Sequence, residues 1–316
     1  MTDRTSLPRE ESQNTPVKTM FAGVPTAEEI DRWLGVTFQI LGKGGKLPLL
    51  HDDLRLIGDA HVNAQYHPLW YIKNRILSGY ICWEQTKQPS TLFSSLADGR
   101  SLYDIIMLNK AIQILQAMQA RKEQTLLIVP IHVRTLCDRR AREFFRFYCE
   151  LHAANFSRSL VFMVQGLDEQ RMLEPDFENV QRIHSFCRAL ILQTSYKNDN
   201  IARYVRLRPH ACGFALDDFK GDEEQLFEHI NKYAESCEKA GMKSFITGVD
   251  KVSIMTAAIG AGITYLQGHT IGEEVTQPRH VEFMGIDSVY KQIFPEQTKA
   301  AILPEDPFTT TPPTEI

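Results

Sequence analysis

Between residues 125 and 266, short and almost continuously apolar runs alternate with longer segments whose apolar residues recur every three to four positions. Runs of the first kind predict buried strands, and segments of the second kind predict amphipathic helices. The predicted strands cover residues 125–133, 160–164, 189–194, 211–216, 243–247 and 263–266. The predicted helices cover residues 139–153, 177–186, 201–205, 223–239 and 252–261. Because parallel strands need helical crossovers, this alternation predicts an α/β fold with a parallel sheet.

Further elements are predicted upstream of the alternation. Two strands at residues 61–72 and 75–83 flank a turn at Lys73-Asn74, and a long helix follows at residues 102–121. The number of strands and a repetitive region of roughly 230 residues favour a closed (β/α) barrel over an open doubly wound sheet. Thr26 predicts the capped start of a helix that ends before Gly42, and a second short helix is expected over residues 50–56.

The composition of the chain ends sets the predicted domain boundaries. Residues 1–24 are polar, are mixed in charge and contain two prolines, which predicts a disordered tail. Residues 25–50 are predicted to form a short N-terminal helical extension, and residues 51–280 the barrel. Residues 281–316 are expected to form a C-terminal extension with a loose tail, because four prolines follow Leu303.

Charge and cysteine usage narrow the class of protein. The net charge of −4 gives no reason to expect a nucleic-acid partner. No apolar run approaches the roughly 18 residues of a membrane span, and the first residues do not resemble a signal peptide. The six cysteines are scattered without a CxxC pair. These features predict a cytoplasmic protein with reduced thiols, without a membrane span and without a structural zinc site.

Ligands of parallel α/β folds bind at the carboxyl ends of the strands, so the residues there are the candidate site. Most of these residues are polar, and only two carry a carboxylate. The candidate pocket at the barrel mouth consists of His67, Tyr80, Glu84, His132, Arg134, Gln165, Gln193, Thr194, Thr247, Asp250 and Gln267. The set contains no assembled nucleophile with a base, so no catalytic residue is predicted.

Several motifs follow the spacing of a known family. Residues 241–268 run strand, helix, strand and end in Gln267-Gly268, with Gly248-Val249 after the first of these strands. Tyr66 and Pro68 precede a hairpin over residues 75–83. Over about residues 50–277 this pattern resembles the EAL domain family, the barrel phosphodiesterases of cyclic diguanylate. The resemblance implies a TIM-like barrel of the EAL type and a role in bacterial signalling.

The resemblance also implies where the catalytic motifs of the family should fall. They fall on Tyr80, Pro130 or His132, Phe162 and Gln165, Gln193 and Thr194, Phe214 and Leu216, Thr247, and Asp250. Of these positions only Asp250 carries a carboxylate. Hard cations such as Mg²⁺ require oxygen ligands, chiefly carboxylates, and a single Asp cannot hold a two-metal centre. The sequence therefore predicts a degenerate, non-catalytic member without a metal or other cofactor.

Asp217-Asp218-Phe219 resembles the Asp-Asp-Phe metal motif of the family. Its distance to Gln267-Gly268 is shorter than the family spacing by about one βα unit. We therefore interpret the two aspartates as a polar cap between a strand and the helix at residues 223–239.

Two functional hypotheses follow. The first is a non-catalytic regulatory module that binds a protein partner, with homodimerisation through the helices after the middle strands as an option by analogy. The second is a receptor for cyclic diguanylate or another small polar ligand at the barrel mouth. Glu84 stands where the family has an Arg that meets a phosphate, and this repulsion argues against dinucleotide binding, although Arg134 and Gln267 remain as contacts.

Overall fold

A computed structural model describes residues 20–21, 23–45, 47, 50–84, 91–168, 172–198, 200–285 and 289. Its strands close into an eight-stranded barrel, which confirms the predicted fold class. Strand β1 is antiparallel to both of its neighbours, β2 and β8, and the other neighbouring strands are parallel. The strands are β1 Ala64–Tyr71, β2 Ile76–Glu84, β3 Leu127–His132, β4 Leu160–Gln165, β5 Ala189–Gln193, β6 Ala211–Ala215, β7 Lys243–Thr247 and β8 Tyr265–Leu266.

The helices surround this barrel. They are α1 Ala27–Gly42, α2 Leu50–His61, α3 Thr91–Ser95, α4 Gly99–Ala120, α5 Val133–Cys137, α6 Arg139–Tyr148, α7 Glu174–Arg182, α8 Glu223–Lys239 and α9 Val252–Gly260. The short α5 was not predicted, because the predicted strand was extended to Val133, whereas β3 ends at His132 and α5 begins at Val133. A 3₁₀ segment, Ile201–Leu207, stands where a short helix was expected. No helix in the described part of the chain is long and apolar enough to cross a membrane.

The alternation of side chains along each strand builds two apolar layers. The layer inside the barrel consists of Leu69, Ile81, Ile128, Val161, Met163, Ile191, Ala211 and Phe245. The strand residues between them, such as Val129 on β3 and Phe162 on β4, join a larger cluster with the helices. The inner apolar side chains fill the middle of the barrel. Inward-facing residues near either end of a strand lie at an open end of the barrel, where polar groups of neighbouring strands meet.

The N-terminal extension packs tightly on the barrel helices. Thr26 caps α1, and Trp33 on α1 lies 6.3 Å from the ring of Phe144 on α6. The Trp33 indole donates a hydrogen bond of 3.1 Å to Asp53 on α2. The helical extension predicted from the sequence is therefore a packed layer on the outside of the barrel.

The chain after β8 returns along the first hairpin. Val275 bridges to Tyr66 on β1, and Phe283 bridges to Ile76 on β2. Met284 donates from its backbone N–H to the carbonyl oxygen of Arg75 at 2.8 Å. Residues 281–285, which were predicted to begin a loose extension, thus pair with β2. The predicted tails at residues 1–19 and 290–316 lie outside the described residues.

All six cysteines are free thiols. Five are buried and Cys137 is half-buried. Burial raises the pKa of the Cys212 thiol to about 11, so this thiol is protonated and inert at neutral pH.

Candidate functional site

A cavity of about 330 Å³ opens at the carboxyl end of the barrel. Five residues of the predicted pocket line it: His132, Gln165, Gln193, Thr194 and Thr247. They come from the ends of β3, β4, β5 and β7. The parallel register therefore brings these five residues together at one end of the barrel.

The polar lining residues are hydrogen-bonded to protein groups. The Gln165 amide donates to the Gln193 side-chain oxygen at 2.8 Å, which links the ends of β4 and β5. The Thr194 and Tyr233 hydroxyls are 3.0 Å apart in the barrel wall. His132 Nδ1 accepts a hydrogen bond of 3.2 Å from the backbone N–H of Arg134. These bonds fix the polar wall of the cavity.

Three other predicted residues, all on the β1–β2 hairpin, lie outside the cavity lining. On β2, Ile81 belongs to the barrel interior, so Tyr80 and Glu84 lie on the opposite face of the strand. The Tyr80 hydroxyl accepts a hydrogen bond of 3.2 Å from the backbone N–H of Arg279. The His67 ring packs edge-on against Trp83 at 5.3 Å, and Trp83 is the residue that reaches the cavity. Tyr80 and Glu84 were predicted to belong to the pocket, but their side chains lie on the face of β2 opposite to Ile81 and do not line the cavity.

The remaining three predicted residues lie beside the mouth and bond to its loops. Asp250 accepts hydrogen bonds from the backbone N–H and from Nδ1 of His269, at 3.0 and 2.8 Å. The Gln267 side-chain oxygen accepts from the backbone N–H of Gly248 at 3.2 Å. Arg134 is exposed in the first turn of α5. None of the three lines the cavity. Asp250 and Gln267 hold the rim through these hydrogen bonds, whereas Arg134 contributes only its backbone N–H, which donates to His132.

Four carboxylates outside the predicted pocket line the cavity: Asp104, Asp168, Asp217 and Asp218. Asp104 and Asp168 were missed by the sequence analysis, and Asp217 and Asp218 were interpreted as a polar cap. The mouth is therefore richer in acid groups than the strand ends alone indicated. Asp217 and Asp218 lie in a 3₁₀ turn directly after β6. The interpretation of these two as a helix cap is corrected, because Asp222 is the residue that caps α8.

Asp104 lies in the first turns of α4, and its side chain is buried against the start of α5. One of its oxygens accepts hydrogen bonds from the backbone N–H of His132, at 2.9 Å, and from the Thr135 hydroxyl, at 2.5 Å. Burial raises the pKa of the Asp104 carboxyl to about 7. A charged residue inside the apolar stripe of a predicted helix was the signal that could have identified it.

Asp168 follows β4 and holds the loop after β5. It accepts hydrogen bonds from the Asn198 amide at 2.7 Å and the Tyr204 hydroxyl at 3.0 Å. The Arg203 guanidinium pairs with the same carboxylate at 2.7 Å. This carboxylate is already satisfied by protein donors, so binding a cation there would require these bonds to break.

The charges and donors of the mouth do not match a two-metal centre. In the described ranges, no three His, Cys, Asp or Glu side chains converge in a way that could hold a metal ion. Asp217 lies over Gly248, which has a φ of +80°. A Cβ atom at residue 248 would lie 3.0 Å from Asp217 Oδ1, so this position has little room for a side chain. Arg100 is the cationic residue of the lining, against four carboxyl groups. The mouth is a polar pocket with hydrogen-bonded side chains, in which carboxyl groups outnumber basic groups.

Solved structures with the same fold were found by comparison of coordinates. The EAL domain of Xanthomonas citri FimX, in complex with cyclic diguanylate, matches 81% of this chain and 98% of its own at 16% identity, with a TM-score of 0.53. The Bacillus subtilis YkuI protein, which has an EAL domain and is in complex with cyclic diguanylate and calcium, matches 79% of this chain and 63% of its own at 14% identity, with a TM-score of 0.56.

A third similar structure is the PaMucR phosphodiesterase in complex with cyclic diguanylate. It matches 68% of this chain and 97% of its own at 13% identity, with a TM-score of 0.55. No protein-family model and no curated protein matches the sequence. This chain therefore has the EAL-type barrel fold, as the resemblance predicted.

Proposed function

We propose that this protein is a non-catalytic EAL-type barrel that acts in signalling by binding another protein chain. The observation that carries the proposal is the state of the carboxylates at the mouth. Asp104 is buried and hydrogen-bonded to α5, and Asp168 is held by Arg203, Asn198 and Tyr204. Phosphodiester hydrolysis between two divalent cations needs several carboxylates directed at the metals.

The charge of the mouth also opposes binding of the dinucleotide. Cyclic diguanylate carries two phosphodiester charges, and its recognition favours Arg and Lys groups near the phosphates. The lining offers one guanidinium, Arg100, and four carboxyl groups. Even with Asp104 partly protonated at neutral pH, the negative charges of the lining outnumber the positive charge of Arg100. A negatively charged phosphodiester is therefore repelled by the mouth as a whole.

A calorimetric titration with cyclic diguanylate tests this part of the proposal. We expect no saturable heat with or without Mg²⁺. A dissociation constant in the micromolar range, weakened about tenfold or more by Arg100→Gln, would contradict the proposal and establish the alternative of a dinucleotide receptor. Arg182→Gln on α7 is the matched control, since Arg182 is exposed and lies outside the cavity lining.

The acidic polar lining favours a second candidate function, binding of a small neutral or cationic polar ligand. The Gln165–Gln193 amide pair and the Thr247 hydroxyl offer donors and acceptors in a cavity of about 330 Å³. This function does not require a metal. It is distinguished from the leading proposal by a Gln165→Leu variant, which would abolish ligand binding and leave protein binding unchanged.

An exposed apolar surface supports the protein-binding part of the proposal. Leu173, at the start of α7, is 61% exposed, and Val205, in the 3₁₀ segment after β5, is 44% exposed. The two segments lie side by side, because Arg206 pairs with Glu174 at 2.6 Å. Exposed apolar side chains on neighbouring segments, with charged residues beside them, offer a surface for a protein contact. They follow the middle strands, where the resemblance left homodimerisation as an option, and a second copy of this chain is the partner that we propose for this surface.

The double variant Leu173→Asp/Val205→Asp is expected to weaken self-association roughly 30-fold, since loss of a central apolar contact costs about 2 kcal/mol. Sedimentation equilibrium over a range of protein concentrations measures the effect. Leu151→Asp is the control, because Leu151 is 50% exposed but lies between α6 and β4. A wild-type protein that stays monomeric at all concentrations, or equal effects of the double variant and the control, would contradict this surface.

A further inference from the structure

The opposite, amino-terminal end of the barrel holds a larger cavity, of about 1080 Å³. This basal cavity is lined at its floor by residues of the barrel interior, among them Leu69, Ile128, Val161, Ile191 and Phe245. Its wall includes two tyrosines, Tyr71 at the end of β1 and Tyr265 at the start of β8, with ring centroids 4.9 Å apart. The cavity thus has an apolar floor and an aromatic wall.

Basic residues ring the opening of the basal cavity in a regular pattern. Arg158 precedes β4, Arg188 precedes β5, His210 precedes β6, and Lys243 begins β7. Since the amino ends of parallel strands meet at one end of the barrel, one basic residue from each of four consecutive strands reaches the same cavity. Lys122, before β3, adds a further cation to the lining.

Acidic groups do not balance this charge. The chain as a whole has 39 acidic residues and 35 Lys and Arg residues, yet the lining of the basal cavity contains a single carboxylate. That carboxylate, Glu123, pairs with Arg121 at 2.9 Å. Among the residues that the structure describes, Arg158, Arg188 and Lys243 have no carboxylate partner within ion-pair distance. Solvated surface cations are usually interspersed with acids, so this segregation requires another explanation.

The tyrosines hold Lys243 and His210 in place. Lys243 Nζ lies 5.0 Å from the centre of the Tyr71 ring and 5.7 Å from that of Tyr265. The Tyr265 hydroxyl is 2.8 Å from His210 Nε2 and accepts from Lys243 Nζ at 3.4 Å. Burial and the nearby charges of Lys243 and Arg188 lower the pKa of His210, which shows that the three groups share one electrostatic environment. The cationic wall is therefore partly pre-organised before any ligand arrives.

We propose that the basal cavity binds an organic anion, a phosphate or carboxylate group carried on an apolar or aromatic body. The anionic group meets Arg158, Arg188 and Lys243, and the apolar body lies against the tyrosines and the floor. Arg and Lys give charge-assisted hydrogen bonds to such groups, and the aromatic wall and apolar floor suit a ring or hydrocarbon chain. This site is separate from the mouth, since none of its lining residues belongs to the mouth cavity.

Fluorescence titration of the full chain with 1-naphthyl phosphate tests the proposal. Inorganic phosphate and 1-naphthol serve as parallel probes that carry only the anion or only the apolar body. We expect saturable binding of 1-naphthyl phosphate that is at least tenfold tighter than binding of either partial probe. Equal affinity for 1-naphthol and 1-naphthyl phosphate would overturn the role of the cations, and no binding of 1-naphthyl phosphate would overturn the site.

Substitutions locate the binding. Arg188→Gln and Lys243→Met remove charge while keeping most of the side-chain volume, and each is expected to weaken binding about tenfold or more, the effect of losing one charge-assisted hydrogen bond. Arg182→Gln, an exposed Arg on α7 outside the basal cavity, is the matched control and is expected to bind as the wild type does. Because Arg188 is exposed, its variant folds even if Lys243→Met does not. Unchanged affinity in Arg188→Gln would contradict the assigned position.

Discussion

In the Asp104→Asn variant, the free energy of unfolding is expected to lose a pH dependence that the wild type shows between about pH 4 and pH 7. Burial raises the pKa of the Asp104 carboxyl from its ordinary value of 3.8 to about 7 in the folded protein. The folded state then holds a proton that the unfolded state releases. The stabilisation from this proton is complete below pH 3.8 and is lost as the pH rises through about 7.

The size of the effect follows from the same shift of the pKa. The shift corresponds to a change of at most about 4 kcal/mol in the free energy of unfolding between pH 4 and pH 7. Asn keeps an acceptor oxygen for the His132 N–H and the Thr135 hydroxyl but does not titrate. Relative to the variant, the wild type should therefore lose stability as the pH rises.

Urea unfolding of both proteins at pH 4, 5.5, 7 and 8 provides the measurement, and the difference between the two profiles removes the contribution of all other groups. Parallel profiles would show that Asp104 titrates at an ordinary pKa and that its burial has been misjudged. Asp218→Asn is the matched control, because Asp218 lines the same cavity but is exposed.

The Gly213→Ala variant is expected to unfold more easily by about 3 kcal/mol, the upper end of the usual cost of overpacking a core. Gly213 lies in the middle of β6, and a Cβ atom there would lie 2.2 Å from the carbonyl oxygen of Phe245 on β7. The ring of Phe245 is equally close, at 2.4 Å. Both are fixed by the β6–β7 pairing and the barrel interior, so neither can move without disturbing the sheet.

The control for this variant is Gly35→Ala in α1. A Cβ atom at Gly35 meets nothing within 4 Å, and its position is inside a helix. Alanine there should raise the free energy of unfolding by about 0.5–1 kcal/mol, since Gly is a poor helix former. Chemical denaturation compares the three proteins. Equal stabilities of Gly213→Ala and the wild type would contradict the packing described for β6 and β7.

The architecture was predictable because its signal is spread over many residues. The change between continuous apolar runs and spaced apolar residues recurs in every βα unit, so an error at one boundary leaves the topology intact. The short α5 was missed because the predicted strand was extended to Val133, past His132, which ends β3 and caps the helix.

The mouth was predicted less completely, for two physical reasons. Side-chain direction alternates along a strand, and the position of a residue near a strand end does not show which face it occupies, so Tyr80 and Glu84 were assigned to the pocket although they lie on the other face of β2. In addition, a search restricted to strand ends cannot find Asp104, which reaches the cavity from a helix. Asp217 and Asp218 were visible in the sequence, but comparison with the family spacing gave them a capping role that Asp222 performs.

The basic lining of the basal cavity, unlike Asp104 at the mouth, was within reach of the sequence. Each of its basic residues stands at the amino end of a predicted strand and could have been identified from the sequence once the strands were assigned. The carboxyl ends drew attention because most sites of parallel barrels lie there. The amino ends of the strands β4 to β7 carry a basic residue each, and the parallel arrangement predicts that these residues lie at the same end of the barrel. They are Arg158, Arg188, His210 and Lys243.

Hydrolysis of cyclic diguanylate, followed by chromatography in the presence of Mg²⁺ or Mn²⁺, tests the central claim most directly. Because Asp104 is buried and Asp168 is held by protein donors, only Asp217 and Asp218 remain for cations at the mouth, and two carboxylates do not make a two-metal centre. We therefore predict no linear dinucleotide above the background without protein. Product that forms in proportion to protein concentration, and that disappears in an Asp217→Asn/Asp218→Asn variant, would contradict the claim that this barrel is non-catalytic.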